Sequence, residues 1–343
     1  MVAPKVTILI PTYRQAQLVQ RAVHTALAQM YEPLEVIVCD DSRDDETKNL
    51  LRPILKKEPR LRYIQNIDRL GRVGNYRKAL YEHASGVWAL MLDGDDYLID
   101  NRFIADAMTS IGENRERQIM FVQGGGEIRQ WVGAAEACPS DCQYDQSIVL
   151  STRLPAIKKQ KPLKKTTQTP IFEIVSGTEY VRVFPRKRQF LHLSTLFHVA
   201  TAKAIDFYRM DLLSSDLESF MRLALHGNVL LINRPVGVWL QHAHNAGQNA
   251  SMDAIIQNSC WANEVKQYAI EHQLWSRSSA LKWANQVRSR EIIGAFSRET
   301  IRRKMQNKSR LKLIIFFLDF IKKHPNLMLH PVFIKKLIFS LLY

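Results

Sequence analysis

Three carboxylates occupy four consecutive positions, Asp93, Asp95 and Asp96 around Gly94, directly after the apolar run Trp88-Ala89-Leu90-Met91-Leu92. Acids this close repel one another, so a site that holds them ionised usually contains a cation. Hard carboxylate oxygens suit Mg²⁺ or Mn²⁺, typically shared with a phosphate. The competing reading is a solvated acidic turn that caps the next helix. A second acidic pair, Asp40-Asp41, closes the run 34–39, and Pro11-Thr12-Tyr13 closes the run 5–10. One acidic pair could accept hydrogen bonds from a base or ribose while the other holds a metal bridging a diphosphate. Further along, Asp216 and Glu218 lie in the first turn of an amphipathic segment, and His242 and His244 stand close together in 241–247.

The elements that position these groups follow from periodicity. Residues 5–10, 34–39, 61–64 and 87–92 are short β-branched or apolar runs that read as strands. Residues 15–30, 44–55 and 71–84 carry helical spacing between them. Strands and helices in alternation over about 95 residues indicate βαβ units and a mainly parallel sheet. The acids then lie together at the carboxyl edge, where open α/β sheets bind ligands. Segments 177–184 and 191–200 fit strand or helix. Segment 215–225 is an amphipathic helix with Gly227 as its stop, followed by a strand over 229–232.

The 46% hydrophobic content provides an ample core, and 343 residues suit one large domain with additions or two domains. A net charge of +15 implies an anionic partner. Cys138 and Cys142 lack a second ligand pair at zinc spacing. The amino terminus does not read as a signal peptide, and no stretch reaches the about 18 apolar residues of a membrane span. Lysines 158, 159, 161, 164 and 165 mark a basic loop. After residue 250 the chain reads as helices, and from residue 302 basic residues flank two apolar blocks, 313–318 and 332–339. Such blocks suit in-plane helices on an anionic membrane. A helical hairpin covering the core, or a dimer interface, is the alternative.

No GxxxxGK[ST] loop and no GxGxxG after the first strand is present, which argues against P-loop and dinucleotide-binding units. The ordered set 10–13, 36–42 with 44–47, 71–75 and 92–96 resembles the family 2 glycosyltransferases of GT-A fold. The resemblance covers the first ~100 residues and implies a Rossmann-like, mainly parallel sheet flanked by helices. It implies a GT-A domain over 1–250, with a nucleotide-binding half (1–100) and an acceptor half (101–250). The helical, basic-amphipathic extension is 251–343.

By the same resemblance Pro11, Thr12 and Tyr13 line the nucleotide pocket, Asp41 binds the base, and Asn75 and Asp96 contribute to nucleotide-sugar binding. Asp93 approaches the ribose or metal, and Asp95 holds Mn²⁺ or Mg²⁺ on the diphosphate. Asp216 is the catalytic base, with Glu218 as alternative. His242, with His244 behind it, closes over the diphosphate or ligates the metal. The implied activity is inverting transfer from a nucleoside-diphosphate sugar to a hydroxyl of a saccharide or lipid-linked acceptor, in surface polysaccharide biosynthesis. The protein is expected in the cytoplasm, peripheral on the inner face of the cell membrane. A nucleotidyltransferase-like enzyme is one rival, but Pro11-Thr12-Tyr13-Arg14-Gln15 is a poor triphosphate loop. A basic nucleic-acid-binding protein is the other, and it lacks an interleaved aromatic platform.

Overall fold

The structure, a computed structural model, describes residues 2–130, 149–150, 172–187, 190–242, 245, 247, 250–306 and 310–342. Cys138, Cys142 and the lysines of 158–165 lie outside the described residues. The chain divides into two compact units, Met1–Gln248 and Asn249–Tyr343.

The first unit begins β1 (Val6–Thr12), α1 (Ala16–Leu27), β2 (Leu34–Asp40), α2 (Glu46–Leu55), β3 (Leu61–Gln65), α3 (Gly71–Lys78), β4 (Trp88–Met91) and β5 (Tyr97–Leu98). It continues with α4 (Phe103–Glu113), β6 (Ile119–Gln130), β7 (Val149–Leu150), β8 (Phe172–Ser176), α5 (Gly177–Lys187), β9 (Thr195–His198), α6 (Val199–Ala204), α7 (Ser215–Ala224) and β10 (Asn228–Gln241). Every residue of β1, β2 and β4 is buried. That explains their continuous apolar sequence, because a parallel sheet has both faces covered.

The sheet order is β3-β2-β1-β4-β9-β6-β10-β5, with β7 on β6 and β8 on β10. Strands β3, β2, β1 and β4 are parallel. The chain builds outward from β1 to β3 and then returns to place β4 on the other side of β1. The carboxyl ends of β1 and β4 therefore flank a topological switch point, the usual crevice for a ligand. Beyond β4 the sheet departs from a mainly parallel arrangement. Strand β9 is antiparallel to both β4 and β6, and β5 and β8 are antiparallel to β10. Segment 177–184 is helix α5, and 191–200 holds a 3₁₀ turn, β9 and the start of α6.

Strand β10 runs ten residues past Leu231, with register irregularities around Pro235 and Gly237. Bulges of this kind bend a strand and re-aim its end. Strand β6 meets it through Gly124-Gly125-Gly126, where a Cβ on Gly124 would fall 2.2 Å from a Val236 methyl. The close approach extends β10 to Gln241, immediately before His242.

The second unit contains α8 (Met252–Asn258), α9 (Trp261–Glu271), α10 (Arg277–Met305), α11 (Arg310–Lys323) and α12 (Pro331–Leu342). Phe296 of α10 is surrounded by Phe316, Phe317 and Phe320 of α11 and Phe333 of α12, with ring centroids 4.6–5.6 Å apart.

Candidate active site

The turn after β4 is pressed against the end of β1. The Gly94 amide donates to the Pro11 carbonyl at 3.0 Å, and a Cβ at Gly94 would stand 2.8 Å from the Thr12 hydroxyl. Glycine is therefore the residue that lets the acidic turn sit this low. Asp93, Asp95 and Asp96 are thereby fixed beside Pro11 and Thr12, and the Asp41 amide joins them by donating to the Thr12 carbonyl at 2.9 Å.

The three acids have different surroundings. Asp93 accepts a 2.5 Å hydrogen bond from the Tyr76 hydroxyl. Burial, with the Asp95 carboxylate beside it, nonetheless pushes Asp93 up to about 7. Asp95 accepts from Asn245 Nδ2 at 3.0 Å and meets His242 Nε2 at 2.8 Å. Asn245 also accepts from the His242 amide through its own side chain, so a small turn after β10 presents both residues to Asp95. Asp96 is buried and accepts from the Leu240 amide at 3.0 Å. Burial and the two neighbouring acids drive its pKa well above the carboxylate range. Its bond to the Leu240 amide links Asp96 to β10.

The end of β2 is built differently. Asp40 accepts from the Ser42 amide at 2.8 Å and the Tyr63 hydroxyl at 2.9 Å. Asp41 accepts from the Leu70 and Gly71 amides at 2.9 Å each and from Asn66 Nδ2 at 3.0 Å. Asp41 thus holds the start of α3, where Gly71 takes φ 74°. Asn75 is 3% exposed. Its Oδ1 accepts from Asn66, and its Nδ2 donates to the Cys39 carbonyl. Asn75 therefore lies beneath the site as a bracket between α3 and β2. Tyr13 stays accessible, with the Arg69 guanidinium 4.4 Å from its ring centroid and that of Arg14 at 5.3 Å.

Asp216, in the first turn of α7, lies within electrostatic reach of Asp93. It interacts electrostatically with Arg72, Asp93, His192 and Tyr208. Arg72 donates to the Leu212 and Leu213 carbonyls at 2.5 and 3.2 Å, so it ties α3 to the entry of α7. Arg77 pairs with Asp206 at 2.6 Å. His192 Nε2 meets the Tyr208 hydroxyl at 2.6 Å, and burial lowers its pKa to about 4, which leaves the ring neutral near pH 7.

Glu218 is completely buried, and its two oxygens accept from Arg222 Nε and Nη2 at 2.7 and 2.8 Å. Arg209 adds a third contact at 3.0 Å. A carboxylate committed in this way has no access to an acceptor, which removes Glu218 as the alternative base. Arg222 also donates to the Ile205 and Asp206 carbonyls. That anchors a loop in which Asp206 and Tyr208 both take φ 57°, a conformation costing non-glycine residues about 1–3 kcal/mol. The strain is maintained beside Asp216.

Tyr76, His192, Tyr208 and Asn245 were missed by sequence reasoning. The helical spacing of Arg72 and Tyr76 was a usable signal, since positions i and i+4 share a helix face. His244 lies outside the described residues. Among the described residues no group of three or more His, Cys, Asp or Glu side chains is assembled around a metal position. Asp95 and His242 nevertheless converge, and Mg²⁺-type ions are commonly held by one or two protein ligands plus substrate phosphates. The oxygen and imidazole donors also suit Mn²⁺. The residues present fit such an ion.

Residues 7–136 match the model of glycosyl transferase family 2. A β-1,3-glucosyltransferase of Campylobacter jejuni, named for its GalNAc(5)-diNAcBac-PP-undecaprenol substrate, is 33% identical over 97 residues, which are 28% of this chain and 31% of that protein. The chain therefore spans about a third of that relative's length. S. aureus TarS 1–349 in complex with UDP superposes with a TM-score of 0.55 at 15% identity, over 98% of this chain and 88% of that one. The mannosyltransferase PcManGT of Pyrobaculum calidifontis, in complex with GDP-Man and Mn²⁺, gives 0.51 at 15% identity, over 100% and 88%. Motif order, acid-bearing sheet edge and fold agree with that match: residues 7–136 are similar to glycosyl transferase family 2, and the fold is the GT-A fold of the solved glycosyltransferases.

Proposed function

We propose that the protein is an inverting glycosyltransferase that moves a sugar from a nucleoside diphosphate to a hydroxyl of a saccharide or lipid-linked acceptor in surface polysaccharide biosynthesis. The observation that carries this reading is the convergence of Asp93, Asp95 and His242 on one side with Asp216 on the other. The nucleotide would lie across the ends of β1 and β2, with its base stacked toward Tyr13 and Arg69. Asp41, which orders the 66–71 loop, would present its remaining lone pair to the base, and Pro11 and Thr12 would form the wall. Asp93 would face the ribose.

Asp95 and His242 would hold Mn²⁺ or Mg²⁺ against the diphosphate. That ion, when bound, neutralises charge on the leaving group. Asp216 would take the proton of the acceptor hydroxyl, whose oxygen then bonds to the anomeric carbon as the bond to the diphosphate oxygen breaks. Attack comes from the face opposite the leaving group, so the configuration inverts. Arg72 and the neutral His192–Tyr208 pair would orient Asp216 without exchanging protons with substrate. A lipid-linked acceptor would place the enzyme on the inner face of the cell membrane as a peripheral protein.

The deciding experiment is a panel of UDP-, GDP- and dTDP-sugars with Mn²⁺ or Mg²⁺, read by thermal stabilisation and donor hydrolysis. Stabilisation and hydrolysis by one nucleotide class, dependent on the cation, are the expected result. Absence of both across the panel would sink the proposal.

A further inference from the structure

Helices α11 and α12 are apolar on two opposite faces. In α11, Phe316, Phe317 and Phe320 point inward against Phe296, while Leu311, Ile315 and Leu318 repeat at i, i+4 and i+7 on the outside. Leu311 and Leu318 are 67% and 63% exposed. In α12, Phe333 and Leu337 point inward and Ile334 and Ile338 outward. The turn Pro325–Leu329 between the helices adds Leu329, 87% exposed, and Ile301 and Met305 extend the exposed apolar surface along the end of α10. An exposed patch on this scale marks an interaction site.

The charge around the patch identifies what covers it. Residues 249–343 contain sixteen Lys and Arg against six Asp and Glu, and so carry ten of the chain's fifteen excess positive charges in little more than a quarter of its length. Arg302, Lys322, Lys323, Lys335 and Lys336 are exposed beside or between the outward apolar residues. Lysine is depleted from protein–protein interface cores. At a bilayer, by contrast, long basic side chains reach anionic head groups while apolar neighbours enter the acyl boundary. No helix is long and apolar enough to cross a membrane among the described residues. The fourteen residues of α11 span only about 21 Å, against about 30 Å of hydrocarbon.

We propose that the outer faces of α11 and α12, with the Pro325–Leu329 turn and the end of α10, form a docking surface that lies in the interface plane of an anionic lipid bilayer. The surface stands on these helices alone and does not depend on the catalytic reading.

Co-sedimentation of the full chain with vesicles tests it. Phosphatidylglycerol mixed into phosphatidylcholine should bind the protein at least about tenfold more strongly than phosphatidylcholine alone, and salt should weaken the binding. Leu311→Glu with Leu318→Glu should reduce partition by about tenfold or more, with circular dichroism unchanged because both side chains leave the inner core untouched. Lys322→Gln with Lys335→Gln should reduce binding to the anionic vesicles by about tenfold and leave residual neutral-vesicle binding unaltered. Equal partition into both vesicle types, or no loss in the Glu variant, overturns the proposal. So does a stable dimer in solution that the Glu variant converts to monomer, or a preference for single-stranded oligonucleotide over the anionic vesicles.

Discussion

The two acid-bearing strand ends of the sheet resemble each other in sequence and differ in what surrounds them. After β2, Asp40 and Asp41 accept five hydrogen bonds from the protein itself, and Asp41 spends most of its capacity on the first turn of α3. After β4, Asp93, Asp95 and Asp96 are packed against one another, and burial with mutual repulsion raises Asp93 and Asp96. Fully satisfied carboxylates build a pocket wall, whereas repelling ones store unfavourable energy that a cation can release. A run of acids therefore says little until its donors are counted.

If this division is right, substitutions at the β4 side should lower activity more than stability, and those at the β2 side the reverse. Asp216→Asn should lower turnover by about 10²–10⁴-fold while nucleotide-dependent thermal stabilisation persists. A variant that retains turnover would remove Asp216 from the mechanism. Asp95→Asn should cost about 10²-fold and shift the metal titration midpoint upward, because His242 is left as the main protein donor. An unchanged midpoint would place the ion elsewhere.

Asp41→Ala should destabilise the fold by about 1–3 kcal/mol, since three donors lose their acceptor. Denaturant unfolding measures this, and a neutral result would break the contrast between the two ends. Asp93→Asn should have the smallest effect on stability and the opposite sign. Its wild-type carboxyl titrates near 7 when folded and near its ordinary, lower value when unfolded. Between about pH 4 and 7 the native state binds more protons, so wild-type stability falls as pH rises through that window and stays reduced above it. The variant should gain about 1 kcal/mol at pH 8, allowing for partial solvent exposure, and nothing near pH 4.

The β1–β4 half was legible because β1, β2 and β4 are buried runs of mostly apolar residues, and the pattern is local. Strand β10 was legible only over its first residues. Its continuation through Asn233, Arg234, Pro235 and Gly237 depends on β6 glycines more than 100 positions away, which no window of sequence connects. The acids of the site could be named from their spacing, yet their individual duties could not. Asp216 and Glu218 both look like first-turn acids, and only Arg222 and Arg209 closing on Glu218 separate them. Asn75 falls within the motif set but is turned underneath by Asn66 and the Cys39 carbonyl. His192 and Tyr208 carried no periodic signal, because their contact is made by a left-handed loop.

Helix α3 reaches every part of this site without supplying a reacting group. Its leading amides meet Asp41, Arg72 reaches the approach to α7, Asn75 grips β2, and Tyr76 holds Asp93. These four attachments within six residues make the helix a gauge, setting the spacing between base pocket, diphosphate and general base by rotational phase. Each added residue turns the rest by about 100°. One alanine inserted between Val73 and Gly74 would preserve all four attaching groups and their chemistry while putting two of them out of step with the others.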